Sequence, residues 1–163
     1  MSKIKNIHEK IFNQDQLRSR LNMWRFLKKK IVFTNGCFDI IHLGHIDFLA
    51  KAADLGDKLI IGLNSDKSTR SIKGPNRPIT DENSRSLILA SFSFVDAIVL
   101  FDEETPLELI KAVMPDILVK GADYSIDQIV GADIVVQNGG RVQTLNYLPG
   151  YSTTLIEQKI KGQ

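Results

Sequence analysis

Apolar positions along the chain follow two spacings. Short unbroken runs rich in β-branched residues, such as Ile31-Val32-Phe33 and Leu59-Ile60-Ile61, alternate with stretches where apolar residues recur every three or four positions. The first pattern predicts buried strands and the second predicts helices. In the first dozen residues Ile4, Ile7 and Ile11 have helical spacing in a segment that is otherwise polar. Asn13 and Gln16 have the spacing of a capping box and open a helix to about Lys28, with Leu17, Leu21 and Trp24 on one face. A strand from Ile31 then meets a glycine turn, followed by Ile46, Phe48, Leu49, Ala52 and Ala53 at helical spacing and a stop at Leu55-Gly56-Asp57. Lys58 to Asn64 is a second strand. Residues 65–80 are polar, with Lys67, Arg70, Lys73 and Arg77 among Gly74, Pro75 and Pro78, and predict a mobile loop. Asp81 caps a helix to about Ser93.

Val95 to Phe101 is a third strand, Thr105-Pro106 opens a helix ending near Met114-Pro115, and Ile117 to Lys120 is a fourth strand. Residues 125–137 fit either helix or strand. Arg141 to Leu145 is a fifth strand, and Ser152 leads into a last helix with Leu155, Ile156 and Ile160 inside. Strands alternating with helices predict a single Rossmann-like doubly wound α/β domain, a parallel five-stranded sheet flanked by helices. An N-terminal helical segment, 1–29, precedes the main unit, 30–163, in one compact domain.

Composition narrows the setting. A chain of 163 residues, 43% hydrophobic and 25% charged, can bury a real core. A formal charge of +2 gives no reason to expect nucleic acid or an anionic membrane surface as partner. No apolar run approaches the roughly 20 residues that span a bilayer, and the N-terminus lacks the apolar core of a signal peptide. The single Cys37 cannot staple the fold and has the setting of a small buried residue. A reducing, cytoplasmic location is the expectation.

The candidate chemistry centres on Asn35-Gly36-Cys37-Phe38-Asp39, with His42, Gly44 and His45 just beyond. A helix N-terminus after a strand offers free N–H groups to a phosphate, and two imidazoles aimed at the same place add donors. In a sheet of this kind ligands sit beyond the carboxyl ends of the strands. Polar clusters follow several strands: 35–39, 64–66, 121–124 and 152–154. The phosphate-loop, dinucleotide and serine-elbow motifs are all missing. Zinc would need more ligands than His42 and His45, so no protein-held metal is expected. Asp39 has two readings, a ligand contact or a tie for the turn through backbone N–H groups. Asn64 and Asp66 divide between ligand contact and strand-end capping, and Arg77 and Arg85 between a substrate phosphate and local salt bridges.

The H-x-G-H motif after the G-C-F-D turn resembles that of the nucleotidylyltransferase superfamily. With Asn64-Ser65-Asp66, Lys73-Gly74, Arg77-Pro78, Pro115-Asp116-Ile117-Leu118-Val119-Lys120-Gly121, Asn138-Gly139-Gly140 and Ser152-Thr153-Thr154, the chain from about 13 to 160 is similar to bacterial heptose 1-phosphate adenylyltransferases. The resemblance implies attack of a sugar-phosphate oxygen on the α-phosphorus of ATP, with pyrophosphate leaving and no covalent enzyme intermediate. His42, His45 and Lys73 would then be catalytic. Asn35, Gly36, Cys37, Phe38, Gly44, Lys120, Gly121, Ser152, Thr153 and Thr154 would bind the nucleotide, with Gly44 leaving room for close approach. Asp39, Asn64, Asp66, Arg77 and Arg85 would face the acceptor. Mg²⁺ would arrive with ATP. Partners would be small molecules, with a second copy of the chain through the N-terminal helix and Trp24, and a separate heptose kinase as pathway neighbour, the chain being too short to hold one. A cytidylyltransferase acting on glycerol 3-phosphate is the rival, but Leu148-Pro149-Gly150-Tyr151 stands where such enzymes carry an Arg-Thr pair. A non-catalytic nucleotide-binding module would have no need of both histidines and Lys73. A fragment of an aminoacyl-tRNA synthetase fails on length and on the lack of an RNA-binding region.

Overall fold

The computed structural model describes residues 2–162; the outermost residue of each predicted segment, 1 and 163, lies outside them. The centre of the sheet is β2 (Ile31–Gly36) beside β3 (Lys58–Asn64), parallel and in register from Ile31 against Lys58 to Gly36 against Leu63. Both are nearly continuous apolar runs, as strands covered on both faces must be. β4 (Ala97–Phe101) pairs with β3. β5 (Ile117–Gly121) pairs with the other side of β2, and β6 (Arg141–Leu145) with β5.

The sheet has six strands rather than five. β1 (Ile11–Phe12), which follows α1 (Lys3–His8), pairs in parallel with β4 and gives the order β1-β4-β3-β2-β5-β6. Two residues carry no readable periodicity, and Ile11 continues the helical spacing of Ile4 and Ile7. What makes it a strand is the neighbouring edge, where the Ile98 N–H donates to the Lys10 carbonyl at 2.8 Å.

Helices cover both faces. α2 (Gln14–Phe26), α6 (Leu107–Val113) and α7 (Ala132–Gln137) pack on the face carrying Phe33, Ile60, Val99 and Leu118. α3 (Leu43–Ala53) and α5 (Glu82–Ser91) pack on the face carrying Val32, Ile61, Ile98 and Val119. The Asn13–Gln16 capping box forms as the spacing predicts and sets the start of α2, whose Leu17, Leu21 and Trp24 are buried. Trp24 is 5% exposed and belongs to the core of its own chain, so it is not a contact held ready for a second copy. The ambiguous 125–137 stretch forms a short 3-10 turn, Ile126–Gln128, and then α7.

Residues 65–80 are not all loop. Their first half is α4 (Asp66–Lys73), capped by Ser65, whose hydroxyl accepts from the Ser68 N–H at 3.1 Å. Its buried residues are Ser68 and Thr69, so its inner face is polar and leaves no apolar stripe in the sequence. It stops at Gly74, whose φ of +99° favours a residue without a Cβ. The chain winds outward from β2 through β3 to β4, then returns to β5 on the opposite side of β2. The switch in strand order, where open α/β sheets hold ligands, therefore lies between β2 and β5.

Candidate active site

The first turn of α3 is built by the two histidines themselves. His42 is the N-cap and its Nδ1 accepts from the Gly44 N–H at 3.1 Å. His45, three residues on, returns the favour by accepting from the His42 N–H through its own Nδ1 at 3.4 Å. This is a capping box made of imidazoles. A neutral ring whose Nδ1 accepts carries its proton on Nε2, so the cap selects the same tautomer for both and leaves two Nε2–H donors. The rings stack at 3.9 Å between centroids. Gly44 makes that stack possible: a Cβ there would lie 3.0 Å from the His42 ring and 3.2 Å from Tyr151. The close approach it permits is therefore to the protein's own histidine.

Burial, the neighbouring His42 and the Lys73 ammonium push the His45 pKa down to about 4. Burial also lowers that of His42. Both rings are neutral at pH 7 and donate without carrying charge. They open on a cavity of about 830 Å³ at the switch point. Of the residues singled out in the sequence, Asn35, Gly36, Cys37, Phe38, His42, Gly44, His45, Asn64, Lys73, Lys120, Gly121, Ser152 and Thr153 line it. Cys37 is a buried free thiol. Lys73 reaches the cavity from the last turn of α4 rather than from a loop. The amine of Lys120 sits 3.5 Å from the Asn35 carbonyl oxygen and 5.7 Å from the centre of the Tyr124 ring; burial holds its pKa down to about 8. α8 (Thr153–Ile160) begins at the cavity wall, with the Ser152 hydroxyl capping it by accepting from the Leu155 N–H.

Five of the sequence candidates do not line the cavity. Asp39 is 1% exposed, and its carboxylate accepts from the N–H groups of Ile79 and Thr80, the Thr80 hydroxyl and the Arg77 guanidinium, at 2.7–2.9 Å. Burial alone would raise its pKa, but these donors prevail and bring it to about 2. Asp39 thus holds a turn in which Phe38 and Ile40 have φ of +47° and +50°, a left-handed conformation costly for a β-branched residue. Arg77 spends its other end on Glu157. Arg85 is fully buried and donates to the carbonyls of Thr80, Cys37 and Asn64 and to the Asp66 carboxylate. Asp66, Arg77 and Arg85 thus tie β2, β3 and the 77–80 loop together behind the site. Thr154 lies one residue past Thr153, whose hydroxyl donates to the Asp39 carbonyl.

The cavity wall also includes residues that sequence reasoning passed over: Phe48, Glu104, Thr105, Pro106, Gln128, Ile129, Val130, Tyr147 and Tyr151. Thr105-Pro106 is legible only as a helix start. Its place after β4, on the same rim as the other polar clusters, was the signal available. Among the described residues no three His, Cys, Asp or Glu side chains gather as a metal site, and no helix is long and apolar enough to cross a membrane.

Comparison with known proteins fits this geometry. The bifunctional protein HldE of Methylobacillus flagellatus is 46% identical over 152 residues, covering 93% of this chain and 31% of its own. The bifunctional protein HldE of Campylobacter jejuni subsp. jejuni serotype O:2 is 53% identical over 153 residues, covering 92% of this chain and 32% of its own. This chain therefore spans about a third of the length of these curated relatives. The crystal structure of a lipopolysaccharide core biosynthesis protein from Thermoplasma volcanium has a TM-score of 0.60 at 32% identity, covering 74% of this chain and 97% of that one. The family model described as cytidylyltransferase-like matches residues 33–159, from β2 through nearly all of α8, and the chain belongs to that family.

Proposed function

We propose that this chain transfers the adenylyl group of ATP to a heptose 1-phosphate, giving ADP-heptose and pyrophosphate for surface-glycan synthesis. The observation that carries the chemistry is the imidazole capping box. Two neutral Nε2–H donors, the Lys73 ammonium and the start of α8 border one cavity. An oxygen of the sugar phosphate attacks the α-phosphorus. The bond to the bridging oxygen breaks, and pyrophosphate departs with the electron pair. The protein supplies position and charge stabilisation. His42 and His45 donate to the phosphoryl oxygens as charge accumulates on them. Lys73 and the N-terminus of α8, where Ser152 and Thr153 line the cavity, meet the β- and γ-phosphates. The backbone of the 35–38 turn and Gly121 cradle the nucleotide.

The donor set suits a divalent cation, Mg²⁺ in this reading, held mainly by phosphate and water oxygens, since among the described residues Glu104 is the one carboxylate in the cavity wall. It would offset charge on the departing pyrophosphate. Asp39, Asp66, Arg77 and Arg85 serve this reaction by fixing the turn rather than by touching the acceptor.

The choice of acceptor draws on the heptose-type motifs and on the similarity to the HldE proteins and to the lipopolysaccharide core biosynthesis protein of Thermoplasma volcanium. The relatives are bifunctional by name, and the matched third would hold one of their two functions. A heptose kinase as pathway neighbour, a self-association surface and a cytoplasmic setting belong to the same reading. The deciding experiment is a pyrophosphate-release screen of ATP and CTP against sugar 1-phosphates and glycerol 3-phosphate. ATP with a heptose 1-phosphate is expected to turn over. Turnover confined to CTP with an alcohol phosphate would replace this assignment by the cytidylyl one.

A further inference from the structure

The last helix is held differently from the others that flank the sheet. α2, α3, α5, α6 and α7 each bury apolar side chains, whereas no residue of α8 is buried. Of the apolar positions whose spacing predicts an inner face, Leu155 is 48% and Ile160 78% exposed, and Ile156 is half-buried. Packing on an apolar face, the usual anchor of a short helix, does little to fix α8. Its first turn nevertheless forms part of the cavity wall through Ser152 and Thr153.

Two polar ties take the place of a packed face. The Thr153 hydroxyl donates to the Asp39 carbonyl at 3.1 Å. One turn later Glu157 pairs with the Arg77 guanidinium, whose other nitrogen holds the Asp39 carboxylate at 2.8 Å. Thr153 and Glu157 are four residues apart and so share one face of the helix. Both ties end on Asp39, one on its backbone and the other, through Arg77, on its side chain. Asp39 is closed to solvent and anchors the turn that leads to His42. The start of α8 and the imidazole pair are thus referred to one fixed point. Glu157 pairs with no other cation among the described residues.

We propose that Glu157 is a positioning residue: through Arg77 it latches α8 to the Asp39 turn and holds the cavity-lining first turn of α8 in place beside the two imidazoles. This rests on the adenylyl-transfer reading, in which that turn meets the triphosphate, and adds what keeps it there.

A partly exposed ion pair contributes little to global stability. It can still choose between arrangements of a helix that the core does not fix, and a small displacement of a phosphate-binding end is felt in binding. Neither Glu157 nor Arg77 lines the cavity. Glu157 therefore acts on a triphosphate in one of two ways, through the position of α8 or through its charge. The two have opposite signs. A carboxylate near an anionic ligand repels it, so its removal strengthens binding if charge alone matters. Opening a latch weakens binding.

The test compares Glu157→Ala with the wild-type chain by pyrophosphate release, by calorimetry with a non-hydrolysable ATP analogue, and by amide exchange. Glu157→Ala is expected to raise the ATP KM and the analogue Kd about fivefold, the scale of a partly exposed ion pair. The kcat at saturating ATP should stay within about twofold, as for lost uniform binding. The amides of Leu155 and Ile156 should exchange faster with solvent. Made in an Arg77→Gln background, which keeps a donor for Asp39, the same substitution should change the analogue Kd by less than about twofold, because the latch is already open. An unchanged or tighter Kd in Glu157→Ala, exchange at α8 no faster than in the wild type, or an equal loss in both backgrounds would overturn the latch. If Arg77→Gln does not fold, the Kd of Glu157→Ala and the exchange at α8 decide alone. If the wild-type chain turns over only CTP, the adenylyl reading falls, and the same comparison with a CTP analogue still decides the latch.

Discussion

Behind the β2–α3 turn, Asp39 and Arg85 each make four hydrogen bonds to protein groups and are closed to solvent. In front of the same turn, His42, His45, Lys73 and Lys120 line an open cavity with donors to spare. The two clusters contain the same kinds of charged and polar side chain within a few residues of one another. They differ in whether hydrogen-bonding capacity has been used up. A saturated group fixes backbone, and an unsaturated one waits for a ligand. Residue type alone does not tell the two apart, and the hydrogen-bond inventory does.

The contrast breaks most visibly at Arg85. Arg85→Met should destabilise the fold by about 3–5 kcal/mol, because Asp66 loses its partner and three carbonyls lose their donor. The midpoint of denaturant unfolding measures this. Unaltered stability with a raised acceptor KM would move Arg85 into the front cluster. His45→Ala should lower the rate of pyrophosphate release about 10²–10³-fold, the loss typical of one donor to developing charge. It should cost only about 1 kcal/mol of stability, through the missing half of the capping box. Equal activity in this variant would remove the mechanism proposed above.

Lys73→Ala should reduce kcat/KM about 10–100-fold, as loss of one charge-assisted contact does, with the melting temperature unmoved, because the side chain has no ion-pair partner within the protein among the described residues. The smallest effect is on pH dependence. Asp39 titrates at about 2 in the folded protein against an ordinary 3.8. Its contribution to stability is therefore complete above pH 4 and is lost as pH falls from about 4 towards 2. Thermal melts across pH 2–6 should show that loss and show it flattened in Asp39→Asn; an unchanged profile would mean that the carboxylate is not the anchor of the turn.

Much of this was legible in the chain. β2 and β3 are apolar runs bounded by turn residues, and the H-x-G-H spacing fixed the place of the cavity. The imidazole cap, however, is a matter of which nitrogen accepts, and spacing does not show that. α4 was hidden because its inner face is Ser68 and Thr69, which pack through small size and hydrogen bonds rather than hydrophobicity. β1 was hidden because its pairing is dictated by β4, 87 positions away in the Ile11–Ile98 pair. For Asp39, Asp66, Arg77 and Arg85 the sequence leaves ligand contact and structural tie both open, and their hydrogen-bond partners within the protein favour the tie.

Because the first turn of α3 is closed by its own histidines, local fraying and loss of the donor array are one event. Opening that turn frees the Gly44 and His42 N–H groups to exchange with solvent and releases both tautomers at once. A bound triphosphate that draws on the two Nε2–H donors would resist the opening. Amide exchange at the start of α3 is thus a direct reading of how much of the two-imidazole donor array is assembled before a ligand arrives.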